Sequence, residues 1–234
     1  MLTKDKKIYT IIGPTAIGKS KIAIELADKY PFEIISLDSS MIYREMNIGT
    51  DKPDQKTLSK YKHHLVDIIN PNENYDVSKY CKDIEAAIKK VFNSKKIPLL
   101  VGGTMMYYRA LIEGLSDMPS SDQVIRAEIE LEASKVGWPE MHRALSGVDP
   151  DTARNLQPNH SQRISRALEV FRQTGTPMSQ WQRANTQEGR DAICLALAPE
   201  DRATLHARIE TRFDRMLEAG FVEEVETLFD RGAL

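Results

Sequence analysis

Short apolar, β-branched runs alternate with stretches of helical period over the first hundred residues. Residues 8–12 (Ile-Tyr-Thr-Ile-Ile), 33–37 (Glu-Ile-Ile-Ser-Leu) and 97–101 (Ile-Pro-Leu-Leu-Val) have the length and content of buried strands. Between them, residues 21–30 place Ile22, Ala23, Leu26 and Ala27 on one helix face. Residues 76–93 repeat Val77, Tyr80, Cys81, Ile84, Ala87, Ile88, Val91 and Phe92 at three- and four-residue steps, with Asp76 where a helix takes its N-cap. Residues 105–114 predict one more helix. Residues 41–67 carry neither period and read as a polar, loop-rich segment with a turn at 49–53. Strand alternating with helix predicts an α/β fold on a parallel sheet.

The pattern changes at Ser116-Asp117-Met118. Residues 124–136 form an amphipathic run that Gly137-Trp138-Pro139 is expected to stop. Residues 140–145 and 150–156 read as short helical pieces, and 161–174 as a longer helix with Ile164, Leu168 and Phe171 on one side. No alternating pattern occurs up to Gly189, so this region reads as an all-helical insertion. Residues 191–197 return to a strand pattern, which most simply rejoins the first sheet. Residues 199–219 predict a helix with Leu205, Ile209, Phe213, Met216 and Leu217 inside, closed by Gly220. Residues 221–231 predict another, closed by Gly232. The expected organisation is a core of residues 1–117 and 191–234, interrupted by the insertion at 118–190.

Composition narrows the class without choosing a function. In 234 residues, 41% hydrophobic and 28% charged content suit a globular domain. A net charge of −2 predicts no general affinity for polyanions, so a nucleic-acid surface would have to be a local patch. Two cysteines far apart in sequence predict a reduced, cytoplasmic protein with no disulfide framework. No signal-type apolar region opens the chain, and no apolar run is long enough for a membrane span. Arginine is distributed unevenly. Residues 1–117 hold 16 Lys and only Arg44 and Arg109, whereas 154–190 hold six Arg, no Lys and two acids, Glu169 and Glu188. Such a segment suits planar contacts to phosphate or bases, and equally a solvated helix face.

The chemistry concentrates at the carboxyl ends of the predicted strands. Gly13-Pro14-Thr15-Ala16-Ile17-Gly18-Lys19-Ser20 follows a strand and opens a helix, which is the context a P-loop requires. Its backbone N–H groups would cradle a polyphosphate, with Lys19 on the outer phosphates and Ser20 on Mg²⁺. The second strand ends at Asp38-Ser39-Ser40, so Asp38 stands where ligands sit in open α/β sheets, as Mg²⁺ ligand, general base or helix cap. The third ends at Gly102-Gly103-Thr104, where glycine permits close approach of backbone to a ligand and Thr104 is either a site residue or an N-cap. His63 and His64 are adjacent, a poor arrangement for one metal, and are read as structural or substrate-lining. These features fit a small-molecule or nucleotide kinase, and any enzyme that expels diphosphate. A non-catalytic RNA-binding protein using the Arg-bearing insertion is a third reading.

Six motifs in one order add a resemblance: Gly13–Ser20, then Asp38-Ser39 with Ile42-Tyr43, then Ile48-Gly49-Thr50 with Lys52-Pro53, then 63–67 (His-His-Leu-Val-Asp), then Gly102-Gly103-Thr104 with Tyr107, then Gln162-Arg163 with 166–170 (Arg-Ala-Leu-Glu-Val). The chain resembles the tRNA dimethylallyltransferase family, also called IPP transferases, and the similarity continues over 197–234. The resemblance implies a P-loop NTPase-like parallel sheet flanked by helices, with an all-helical insertion domain that contacts tRNA. It implies that a dimethylallyl group passes from dimethylallyl diphosphate to N6 of the adenosine 3′-adjacent to the anticodon, with Asp38 as base and Thr104 near the reacting centre. The P-loop and Mg²⁺ would hold the diphosphate. Asp38, Ser39, Ser40, Met41, Thr104, Arg126, Gln162, Arg163, Ile164, Ser165 and Arg166 match positions that touch the tRNA. A monomer is expected. Ile17 and Met41 depart from the family's usual residues. Family members continue beyond the position of Leu234, so a shortened form is expected here.

Overall fold

The computed structural model describes residues 7–116, 118–184 and 189–232. Asp117, Glu188 and Leu234, which enter the boundaries and counts above, lie outside these described residues. The chain forms two compact units, Met1–Ile112 with Arg190–Leu234, and Glu113–Gly189.

The first unit is built on five parallel strands, in the spatial order 63–64, 32–37, 97–102, 8–12 and 192–196. The P-loop strand β1 (Ile8–Ile12) is followed by helix α1 (Lys19–Lys29) and strand β2 (Phe32–Leu37). A short helix α2 (Gln55–Lys60) and the two-residue edge strand β3 (His63–His64) interrupt the segment that reads as loop in the sequence. Neither has enough apolar residues to register as a period; Asp54 caps α2, and β3 is held by pairing with Ile34 and Ile35. Helix α3 (Val77–Asn93), capped by Asp76, leads to strand β4 (Ile97–Gly102) and helix α4 (Met105–Glu113).

Both faces of the sheet are covered, which explains the continuous apolar runs of β1, β2 and β4. One face packs Ile8, Ile35, Leu37 and Leu100 against Tyr80, Ile84, Ile88 and Val91 of α3 and Tyr107 and Leu111 of α4. The other packs Ile11, Ile34, Leu99 and Val101 against Ala23 of α1. Strand β5 (Ala192–Ala196) pairs with β1 in parallel, from Ile8↔Ala192 to Ile12↔Ala196, so the returning strand rejoins the first sheet. Its entry is pinned where Arg190 N donates to Leu111 O at 3.0 Å and the Arg190 guanidinium pairs with Glu85.

Helices α10 (Arg202–Glu218) and α11 (Phe221–Phe229) complete this unit. They correct one expectation. Of the five α10 residues read as inside, none is fully buried, and Phe213 and Leu217 are 49% and 41% exposed. Helical period identifies the apolar face of a helix but not what covers it. Among the described residues that face is only partly covered, and it continues onto Val222, Val225 and Phe229 of α11.

Every secondary-structure element among the described residues of the second unit is a helix. Helix α5 (Gln123–Val136) ends at Gly137, but Trp138 and Pro139, expected only as stops, begin helix α6 (Trp138–Val148). Proline at the first turn lacks only an N–H that would have no helical partner there. Helices α7 (Pro150–Arg154), α8 (Ser161–Thr174) and α9 (Met178–Ala184) follow. Ile129, Met141, Leu145, Ile164 and Leu168 form the core of this unit. The buried carboxylate of Asp149 ties two helix starts together, accepting from Thr152 N and Oγ1 at 3.1 and 2.7 Å and from Ser179 N at 2.9 Å.

Candidate functional site

A cleft of about 1320 Å³ opens at the carboxyl ends of β1, β2 and β4. Its floor is the loop between β1 and α1. Gly13 and Gly18 hold φ of 155° and 99°, and Ala16 is left-handed at 59°, the kind of backbone from which anion-binding loops are built at the start of a helix. Gly13, Pro14, Thr15, Ala16, Gly18, Lys19 and Ser20 line the cleft. Ile17 packs against Gly13 instead, its Cγ2 lying 3.3 Å from where a Cβ on Gly13 would stand.

Lys19 Nζ rests on the loop's own carbonyls, donating to Gly13 O at 3.0 Å and Pro14 O at 2.8 Å. Burial lowers its pKa; Asp38 opposes that shift and Arg212 adds to it. The Ser20 hydroxyl is exposed and donates to no described residue, so it remains open to a ligand. Among the described residues no group of three His, Cys, Asp or Glu could form a protein-only metal cage. Mg²⁺ characteristically takes one or two protein oxygens and completes its shell with phosphate and water. The hydroxyl of Ser20, at the start of α1 beside the loop, fits that donor set.

Asp38 is held asymmetrically. Oδ1 accepts from Ser40 N at 2.8 Å, Ser40 Oγ at 2.7 Å and Met41 N at 3.4 Å, while no described residue donates to Oδ2. The carboxylate is thus oriented through one oxygen and presents the other. Thr104 does not cap α4 through its side chain: its Oγ1 accepts from Ser39 N at 3.1 Å, and its N donates to Leu37 O at 3.2 Å. It ties the end of β4 to the end of β2. Asp38, Ser39, Ser40, Met41 and Thr104 all line the cleft.

The two glycines before Thr104 line the cleft and also meet close protein neighbours. A Cβ on Gly102 would lie 2.0 Å from Leu37 O, and one on Gly103 would lie 3.1 Å from Gly13 O. The neighbouring strand and the P-loop therefore set their own limit on side-chain size at these positions. The histidines separate in role. His63 lines the cleft, its Nδ1 donating to Tyr61 O at 2.6 Å. His64 Nε2 contacts Glu33 at 2.5 Å. Burial lowers the pKa of both rings, while the Glu33 carboxylate opposes that shift at His64 and accepts from its Nε2.

Helix α10 contributes side chains that the motifs did not indicate. Arg208, Arg212 and Arg215 line the cleft. Arg212 Nη1 donates to Thr15 Oγ1 at 2.7 Å and pairs with Asp51 at 3.3 Å, which places a second cation beside the P-loop. Spacing of four and three residues was the available signal, since it puts all three on one helix face. Lys52, a member of the 48–53 motif, is given a structural place: its side chain is 2% exposed, and Nζ donates to Tyr43 O, Asn47 Oδ1 and Asp67 Oδ1.

The remaining site positions belong to the second unit. Gln162 and Arg163 are exposed on α8, and Ile164 and Ser165 are buried. Ile164 is therefore a core residue, and its side chain has no surface to offer RNA. Arg126 Nε and Arg166 Nη1 reach the fully buried carboxylate of Glu169 at 3.1 and 2.9 Å. Arg166 also donates to Pro119 O at 2.5 Å, whereas Arg126 keeps its outer guanidinium edge.

A sequence model described as IPP transferase matches residues 41–234. A tRNA dimethylallyltransferase of Thiobacillus denitrificans is 50% identical over 220 residues, which is 93% of this chain and 70% of that protein. The tRNA dimethylallyltransferase of Dechloromonas aromatica is 49% identical over the same shares. The crystal structure of full-length tRNA isopentenylpyrophosphate transferase from Bacillus halodurans matches with TM-score 0.62 at 35% identity, over 98% of this chain and 72% of that one. A eukaryotic dimethylallyltransferase acting on tRNA matches with TM-score 0.78 at 29% identity, over 97% of this chain and 56% of that one.

Proposed function

The chain belongs to the IPP transferase family, and from that membership we propose that it transfers a dimethylallyl group from dimethylallyl diphosphate to N6 of the adenosine beside the anticodon of tRNA. The allylic C–O bond breaks, the C–N bond forms, diphosphate leaves and N6 loses a proton. The observation that carries this reading is Asp38: one oxygen is fixed by Ser40 and the other is presented to the cleft that the P-loop lines. An exocyclic amine is a weak nucleophile and needs a positioned base as the new bond forms. Asp38 Oδ2 is that base.

The leaving diphosphate gathers negative charge. The amides of the P-loop, Lys19 and Arg212 meet it with pre-formed donors. Lys19 gives up its contacts with two carbonyls to do so. Ser20 would hold Mg²⁺, which when bound would supply further neutralisation of the charge on the leaving group. Thr104 keeps Ser39, and through it the Asp38 turn, in register with β4. The target base must leave its stack to reach the cleft, at a cost of a few kcal/mol, so binding energy has to come from elsewhere on the RNA. The exposed Gln162 and Arg163 and the free edge of Arg126 are the contacts assigned to that task.

A kinase reading differs in one decisive respect, the group transferred. The test is to incubate the chain with Mg²⁺, anticodon stem-loop RNA and either labelled dimethylallyl diphosphate or γ-labelled ATP. Label enters the RNA from the prenyl donor only. Label transferred from ATP, or RNA binding with no transfer from either donor, would overturn the reading.

A further inference from the structure

One wall of the cleft is a loop, residues 43–53, that contributes Asn47, Ile48, Thr50, Asp51 and Lys52. Two of its non-glycine residues, Glu45 and Asp51, hold left-handed φ of 66° and 53°. Such a conformation persists only where the surroundings over-determine it. The support comes from α11, some 175 residues away in sequence.

Both carboxylate oxygens of Glu224 accept from three successive backbone amides of the loop. Oε2 accepts from Asn47 N at 2.7 Å and Ile48 N at 2.8 Å; Oε1 accepts from Ile48 N at 3.1 Å and Gly49 N at 3.0 Å. Consecutive amides converging on one anion form a nest. Here the anion is the chain's own side chain. Two further contacts act on the same loop. A Cβ on Gly49 would lie 2.3 Å from the ring of Phe221, so the ring and the loop backbone are in close contact. Arg231 pairs with Glu45 through both guanidinium nitrogens. Glu224 itself does not line the cleft.

We infer that Glu224 is a positioning residue for the transfer reaction: its carboxylate fixes the amides of residues 47–49 and thereby the cleft wall that carries Ile48 and Lys52. This rests on the reading of the cleft as the site of prenyl transfer. Asn47 links the two ends of the device, since its N meets Glu224 and its Oδ1 accepts from Lys52 Nζ at 3.0 Å. A glutamine at position 224 would replace one acceptor oxygen by an amino group turned toward amide N–H donors, and would remove the charge that strengthens each bond.

The test compares the wild-type chain with E224Q and E224D by amide hydrogen exchange and by steady-state transfer from dimethylallyl diphosphate to stem-loop RNA. In E224Q, exchange at residues 47–49 speeds up by about tenfold or more, as expected for losing bonds to a charged acceptor. KM for the donor rises by a similar factor and kcat changes less, while the amides of β1 and α1 keep their protection. E224D, which retains the charge on a shorter arm, recovers part of both effects and carries the same readings if E224Q does not fold. Unchanged exchange at 47–49 would overturn the inference, and so would faster exchange with wild-type kinetic constants. A wild-type chain that transferred nothing would instead overturn the reading of the cleft, and the exchange data would still decide whether Glu224 holds the loop.

Discussion

The closest backbone approach beside the cleft is at Gly102, and replacing it by alanine gives a prediction with a calculable size. The added Cβ would meet Leu37 O at 2.0 Å and Leu37 C at 2.4 Å. Both are backbone atoms of β2, so no side-chain rotation relieves the clash. An ordinary C···O contact is about 3.3 Å, so the two strand ends must part by roughly 1.3 Å. Leu37↔Gly102 is the last pair of the β2–β4 register, and Leu37 O also accepts from Thr104 N at 3.2 Å. Overpacking costs about 1–3 kcal/mol, and the loss of one or two hydrogen bonds adds about 1 kcal/mol each. The sum is about 2–5 kcal/mol, or roughly 4–20 °C in melting temperature for a chain of this length. Gly102 has no positive φ, so left-handed strain adds nothing to the effect, and the stiffer unfolded chain offsets it by only about 0.4–1 kcal/mol. Gly103→Ala is the control: its Cβ would lie 3.1 Å from Gly13 O and 3.7 Å from Lys19 Nζ, contacts that small shifts accommodate. Thermal unfolding followed by circular dichroism measures both variants. A wild-type melting temperature for Gly102→Ala, or an equal fall for the two, would refute the argument.

Other outcomes follow from the same contacts. Glu169→Ala leaves Arg166 without its buried partner and should cost about 3 kcal/mol in urea unfolding. The carboxyls of Glu169 and Asp149 are pushed up by burial, but hydrogen bonds to both outweigh burial and hold them below the usual range. Because the folded values are depressed, their stabilisation is present above about pH 4.3 and is lost as pH falls through the folded values, which acid titration of the unfolding free energy measures. Lys19→Ala should weaken binding of inorganic diphosphate in calorimetry while the fold persists, because its Nζ contacts only loop carbonyls. The Cys81 thiol is pushed up to about 11, first by burial and then by Glu85, whereas Cys194 is exposed. Iodoacetamide followed by mass spectrometry should modify Cys194 in the native chain and Cys81 only on unfolding.

Sequence pattern reached the parts of this protein whose cause is local. The strands of the central sheet, the P-loop turn and α3 with its Asp76 cap follow from period, capping and glycine placement within a few residues. Asp38 was legible because it ends a strand, and the motif order added its assignment as a base. What was not legible depends on distant contacts. The β3 strand exists because β2 offers it an edge, and Gly102 is glycine because Leu37 O stands beside it. Arg212 reached the site because α10 returns beside the P-loop; the spacing of Arg208, Arg212 and Arg215 marks a basic helix face but not what that face meets. The side chain of Ile164 is buried for a related reason: a motif names a stretch, while a helix with 3.6 residues per turn sends part of that stretch into the core.

The central claim is that Asp38 acts as a base toward an amine and not as a ligand needed for diphosphate binding. Single-turnover transfer by Asp38→Asn, measured beside inorganic diphosphate affinity of the same variant, tests it directly. The account predicts a rate lower by about 10²–10⁴, with diphosphate affinity unchanged. A variant that transfers at the wild-type rate, or that loses diphosphate binding in proportion to its rate, would contradict it.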